Sequence, residues 1–168
     1  AKSDVVKFYD SIDHAILLSL LRRRITDPLL LRMIEAVVNS SHSRFGPGKG
    51  IPIGNITSQV FANVYLHEVD RYAVHTLHAP EYFRYADDIL LLDGGAQRVN
   101  DYATRLRSFA RNELKLDLML RPARKLSCGV DFLGSVLWPY GRTLRRQTRA
   151  RIARGIQIRE KMAASGLI

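Results

Sequence analysis

Residues 82–93 read YFRYADDILLLD, two short apolar runs on either side of an adjacent aspartate pair, Asp87 and Asp88. Runs of this length, rich in aromatic and branched residues, predict strands, and acidic residues between them predict a hairpin turn. Both strands read as buried, so the hairpin must sit in a sheet with a covering layer. The rest of the chain supplies that layer. The segment 3–9, SDVVKFY, predicts a buried strand. Asp13 is placed to cap a helix over HAILLSLLRRR, and Thr26 or Asp27, followed by Pro28, to start a second. Four glycines and two prolines make 44–55 a loop. Helical spacing resumes from Thr57 through Val60, Phe61, Val64, Tyr65, Val69 and Tyr72, and again over AQRVNDYATRLRSFARNEL. DFLGSVLWPYGRTLRR predicts a hairpin turning near Pro139–Gly141, and a basic helix starts at Gln147. The resulting order is βαββαβ-like: an α+β fold with a ferredoxin-like antiparallel sheet and helices on one face.

The chain has 168 residues, enough for one domain with a real core. No apolar run is long enough to span a bilayer, which argues against a membrane role. One cysteine, Cys128, excludes an internal disulfide and agrees with a reducing cytoplasm. The formal net charge is +10. An excess of one sign points to an anionic partner, with nucleic acid the usual one and a membrane surface or ribosome the alternatives. The excess is concentrated at the C-terminal end, where Arg142, Arg145, Arg146, Arg149, Arg151, Arg154, Arg159 and Lys161 are opposed only by Glu160. A solvated helix face explains such a run less well than phosphate contact.

A lone aspartate pair in a turn is usually just a turn. Here the turn lies between buried strands, and Asp4 opens another strand with apolar residues after it. In an antiparallel sheet a strand start and a neighbouring hairpin tip can adjoin, so three carboxylates would converge. Alone they repel; with hard divalent cations bound, the repulsion inverts. Mg²⁺, or Mn²⁺ in its place, takes such oxygen ligands and leaves positions for phosphate oxygens, and a pair of ions suits phosphoryl transfer. Asp10 and Asp13 read as capping residues, and Glu68 and Asp70 as surface charges on a helix.

SDVVKFYDSIDH, GIPIGNITSQVFANVYLHEVD, RYADD and GVDFLG, in this order and spacing, resemble the palm motifs of bacterial reverse transcriptases over about residues 2–146. The resemblance implies an RNA-directed DNA polymerase of the bacterial cytoplasm. It implies a palm over residues 1–146 and the basic start of a thumb or connecting helix over 147–168. Its partners would be a template RNA, a primer or cDNA, and dNTP. Asp4, Asp87 and Asp88 match the catalytic aspartates, with the Val5 carbonyl as a further metal ligand and two Mg²⁺ ions as cofactors. Tyr9 matches the aromatic under the incoming sugar that excludes a 2′-hydroxyl. Phe132, Leu133 and Gly134 match a primer-grip hairpin, with Trp138 beneath it or filling core. Lys125, or Arg121 and Arg124, matches the basic residue near the triphosphate. Arg145, Arg146 and Arg149 would meet nucleic-acid phosphates.

The string IGNITSQ departs from the family's commoner QGxxxSP form, with Ile53 in place of Gln and Gln59 in place of Pro, on either side of Gly54. This form resembles the enzymes of diversity-generating retroelements, which implies an error-prone enzyme and an accessory protein. A Gln side chain donates hydrogen bonds near the nascent pair and Ile53 cannot, so discrimination should fall. The resemblance also implies a fingers segment before Asp4 and a fuller thumb; without them the 168 residues alone are expected to polymerise poorly. Two other readings remain open: a non-catalytic nucleic-acid-binding remnant of a palm, and a reverse transcriptase of group II intron, retron or defence type.

Overall fold

The computed structural model describes residues 1–41 and 43–165, so the last three residues of the predicted 147–168 segment lie outside it. The chain forms two compact units, Ala1–Ala123 and Arg124–Ile168.

The first unit is built on a four-stranded sheet of order β2-β3-β1-β4, with β1 Lys2–Val5, β2 Glu81–Tyr85, β3 Asp88–Leu92 and β4 Leu118–Arg121. Every neighbouring pair is antiparallel. Successive side chains alternate between the faces of a strand. Ser3, Val5, Ile89, Leu91 and Leu118 are buried on one face. Asp4 and Asp88, paired across β1 and β3, therefore stand on the other.

Five helices share one apolar core with the buried face: α1 Phe8–Ser11, α2 His14–Arg22, α3 Pro28–Asn39, α4 Ile56–Arg71 and α5 Ala96–Leu114. Their boundaries follow local chemistry. Asp13 accepts from Ile16 N and caps α2, while Asp27 accepts from Leu29 N and Leu30 N ahead of Pro28. Tyr65 ties three helices together: it is fully buried, its hydroxyl donates to Leu114 O at 2.7 Å and accepts from Asp13 N at 3.3 Å. Burial pushes that hydroxyl's pKa up, so it stays a donor. Helix α4 runs on into a π-helical turn, Tyr72–Thr76, where Tyr72 stacks on Phe109 of α5 with centroids 4.1 Å apart.

Four details differ from the sequence reading. Of the two hairpin strands read as buried, only β3 is; β2 lies at the sheet edge with Phe83 and Tyr85 exposed. The strand expected over 3–9 stops at Val5, because Lys7 turns left-handed (φ 46°) and Phe8 begins α1. Tyr9 is therefore helical. Strand β4 was not foreseen; it continues directly from α5 through Lys115, another left-handed residue (φ 53°). The terminal hairpin is a three-stranded meander, β5 Val130–Phe132, β6 Ser135–Trp138 and β7 Gly141–Leu144, which turns at Leu133–Gly134 as well as at Pro139–Tyr140.

The meander and a basic helix, α6 Arg146–Ala164, make up the second unit. Trp138 Nε1 donates to Thr143 Oγ1 at 3.0 Å across the meander. Gly129 (φ 74°) lies beneath that indole, where a Cβ would come within 3.0 Å of it and 2.7 Å of Val136 Cγ1. Arg145 pairs with Asp131. Among the described residues no helix is long and apolar enough to cross a membrane.

Candidate active site at the junction of the central strands

The β2–β3 connection is a two-residue loop, Ala86–Asp87, closed by the Tyr85–Asp88 pair. Ala86 has a φ of 50°, a left-handed conformation unusual for a residue with a Cβ. Its carbonyl is held by Arg84 Nη1 at 3.0 Å. The same guanidinium makes a bidentate pair with Asp70, Nε to Oδ1 and Nη2 to Oδ2, both at 2.7 Å, and reaches Asn63 Oδ1 at 3.1 Å. Tyr82 adds a hydroxyl to Asp70 Oδ1 at 2.7 Å. Helix α4 thus clamps the hairpin by a partly buried charged network. Asp70, expected to be a surface charge, is instead the anchor of that network. Asn63 and Asp70 lie seven residues apart, on one helix face, which is the signal that could have identified them.

Asp4 stands directly opposite Asp88 on the neighbouring strand. Asp87 is close enough to both for their charges to act on it. Burial, then the charges of Asp4 and Asp88, raise the Asp87 carboxyl above its ordinary value, against a local backbone hydrogen bond that lowers it. The three aspartates named from sequence are therefore brought together. Asp88 is also drawn elsewhere: its Oδ1 lies 2.7 Å from Lys2 Nζ. Among the described residues no group of three or more His, Cys, Asp or Glu is already arranged to hold a metal ion. The donor set, hard carboxylate oxygens made mutually repulsive, nevertheless suits a hard cation, with Asp4 and Asp87 as the convergent pair. The buried Val5 side chain carries no ligating atom, so any contribution from this residue would come from its backbone carbonyl.

Beside the hairpin lies a cleft of about 410 Å³ lined by Tyr9, Gln59, Ala62, Asn63, Arg84 and Ala86 among others. Tyr9 and Gln59, named separately from sequence, share it. Ile53 is 76% exposed in the loop before α4. Gly54 takes a φ of 100° with open space where a Cβ would be, so backbone conformation and not crowding demands glycine there. Asp10 lies in α1, and Asp13 caps α2 while paired with Lys115 at 2.7 Å. Lys125, Phe132, Leu133, Gly134, Arg145, Arg146 and Arg149 all belong to the second unit. Leu133 and Gly134 are the β5–β6 tip, both with positive φ, and Arg146 and Arg149 are exposed on α6.

An antiparallel sheet of this order, with helices on one face and acidic residues at its central junction, is the palm-type fold of polymerases. In agreement, the structure superposes on telomerase from Candida albicans, solved in complex with a fragment of telomeric RNA, with a TM-score of 0.60 over 86% of this chain and 30% of that one, at 13% identity. The chain belongs to the reverse transcriptase (RNA-dependent DNA polymerase) family, whose model matches residues 1–137. It is 23% identical to Protein YkfC of Escherichia coli K12, covering 79% of this chain and 45% of that protein. It is also 30% identical to the group II intron-encoded protein LtrA of Lactococcus lactis subsp. cremoris over 44% of this chain and 13% of LtrA. The chain thus spans less than half the length of these relatives.

Proposed function

We propose that residues 1–146 act as the palm of an RNA-directed DNA polymerase, joining dNTP to a primer 3′-hydroxyl on an RNA template, with residues from 147 onward starting a thumb or connecting helix. The observation that carries this reading is the meeting of Asp4, Asp87 and Asp88 at one sheet junction. Two divalent ions, Mg²⁺ or Mn²⁺, when bound supply positive charge that acidifies the primer hydroxyl and neutralises the departing pyrophosphate. Asp4 on β1 and Asp87 in the β2–β3 loop would hold that charge, assisted by Asp88 and the Val5 carbonyl. Tyr9 offers a flat ring to the sugar in the cleft, where hydrogen fits at the 2′ position and hydroxyl does not. Arg84 keeps the hairpin tip, and with it Asp87, in one conformation. In the second unit, Phe132–Gly134 steady the primer end, Lys125 meets the triphosphate, and Arg145, Arg146 and Arg149 meet phosphates.

The reading is tested by thermal unfolding with and without Mg²⁺. At ten times the dissociation constant, binding stabilises the fold by about 1.4 kcal/mol. That gain should vanish in Asp87→Asn. An identical Mg²⁺ response in both proteins would remove the metal site.

Within this family we favour the error-prone, diversity-generating type, which would bring an accessory protein as partner. Ile53 offers no hydrogen bond at the mouth of α4, so a mispaired base loses less there. The likeness to LtrA favours a group II intron type instead. Ile53→Gln in an extending enzyme separates them: the first reading expects fewer errors opposite template adenine, and an unchanged error spectrum sinks it.

A further inference from the structure

Resting on that metal site, we infer that Lys2 is a built-in counterion that withholds Asp88 from the cation until metal arrives. Asp4 and Asp88 are directly opposite across β1 and β3, and like charges so placed destabilise a strand pair. Asp87, at the loop next to them, adds a third carboxylate. A protein that must exist without metal needs another positive charge at this junction.

Lys2 is two residues before Asp4 on the same strand, so both side chains stand on the same face. Its ammonium reaches Asp88 Oδ1 at 2.7 Å, and the two side chains are only 15% and 27% exposed. A pair this shielded is screened less than a surface ion pair, and its distance is that of a charge-assisted hydrogen bond. The consequence is a division of labour. Asp4 and Asp87 face each other as the first cation ligands, while Asp88 is engaged. A divalent ion that recruits Asp88 must displace the ammonium, so metal affinity is set partly by how strongly Asp88 pairs with a lysine outside the catalytic set. Lys2 is thus a positioning residue. It makes the metal-free hairpin tolerable and weakens the site in doing so.

The experiment uses the 168-residue chain and Mn²⁺ alone. Mn²⁺ binding is followed by electron paramagnetic resonance for the parent, Lys2→Met and Lys2→Arg. In parallel, Mg²⁺ is titrated while the Lys2 ammonium is observed by nuclear magnetic resonance. Lys2→Met should tighten Mn²⁺ binding about tenfold and lower the melting temperature without metal. Lys2→Arg, which keeps the pair, should not tighten it. The ammonium signal should move as Mg²⁺ fills the site. Metal binding that leaves the ammonium signal unmoved overturns the role of Lys2 while the metal site stands, as does unchanged or weaker Mn²⁺ binding in Lys2→Met. If the parent chain binds no Mn²⁺, the site and this inference fall together.

Discussion

Replacing Arg84 by Met probes how the acidic hairpin is held. The aliphatic stem is roughly conserved, so the change removes the guanidinium and little packing. What is left behind decides the magnitude. Asp70 loses two charge-assisted bonds of 2.7 Å and keeps the Tyr82 hydroxyl. The pair is shielded, with side chains 13% and 24% exposed. Breaking a fully buried pair costs about 3–5 kcal/mol, and an exposed one under about 1. Partial burial places this one at about 2–3 kcal/mol, or a melting point lower by roughly 5–10 °C. The Ala86 carbonyl also loses its donor, at the loop residue already in a left-handed conformation. The assay is urea unfolding of the parent, Arg84→Met, Asp70→Asn and the double variant. Because the two residues act as a unit, the double variant should lose about 1–2 kcal/mol less than the sum of the singles. A single-variant loss below about 0.5 kcal/mol, or strict additivity, would refute the clamp.

Two further outcomes check the frame. Burial alone would raise the Asp13 carboxyl, but hydrogen bonds from Lys115 and Ile16 N and the Lys115 charge hold it below its ordinary 3.8. A depressed folded value means stability present above 3.8 and lost as pH falls through the folded value. Asp13→Asn keeps a capping oxygen and loses the Lys115 ion pair, whose lysine is largely solvated. It should therefore cost under about 1 kcal/mol at neutral pH, and the gap from the parent should close in acid unfolding curves taken below pH 3.8; a gap constant with pH would contradict it. Gly129→Ala forces a Cβ to 2.7 Å from Val136 Cγ1 at a φ of 74° and should destabilise the second unit by about 2–4 kcal/mol. The chain's one tryptophan, Trp138, sits on that glycine and reports the loss by fluorescence, while unaltered unfolding would show the contact to be unimportant.

Much of this was legible because local chemistry is strong at particular residues. Asp13, and Asp27 ahead of Pro28, announce helix starts, since each supplies an acceptor where backbone donors have none. The hairpin at 82–93 is legible because apolar flanks and an acidic turn leave few other conformations. Strand β1 was overextended because Lys7 gives no warning of a left-handed turn, a conformation lysine rarely takes. Strand β4 is short and follows α5 almost without a break, so its period of two is lost in the helix before it. In the site, the aspartates stood out through their family-like spacing. Lys2, Asn63 and Asp70 did not, because their roles depend on partners 86, 21 and 14 positions away. A strand residue's cross-strand partner is set by register, which no local pattern encodes.

The proposed chemistry depends on a divalent ion seated between Asp4 and Asp87. Crystals of the chain soaked in Mn²⁺ and measured for anomalous scattering test it most directly. The expected result is a peak coordinated by the carboxylates of Asp4 and Asp87, with the Lys2 ammonium displaced from Asp88 wherever Asp88 joins the ion. Full Mn²⁺ occupancy at any other place, with that junction empty, would contradict it.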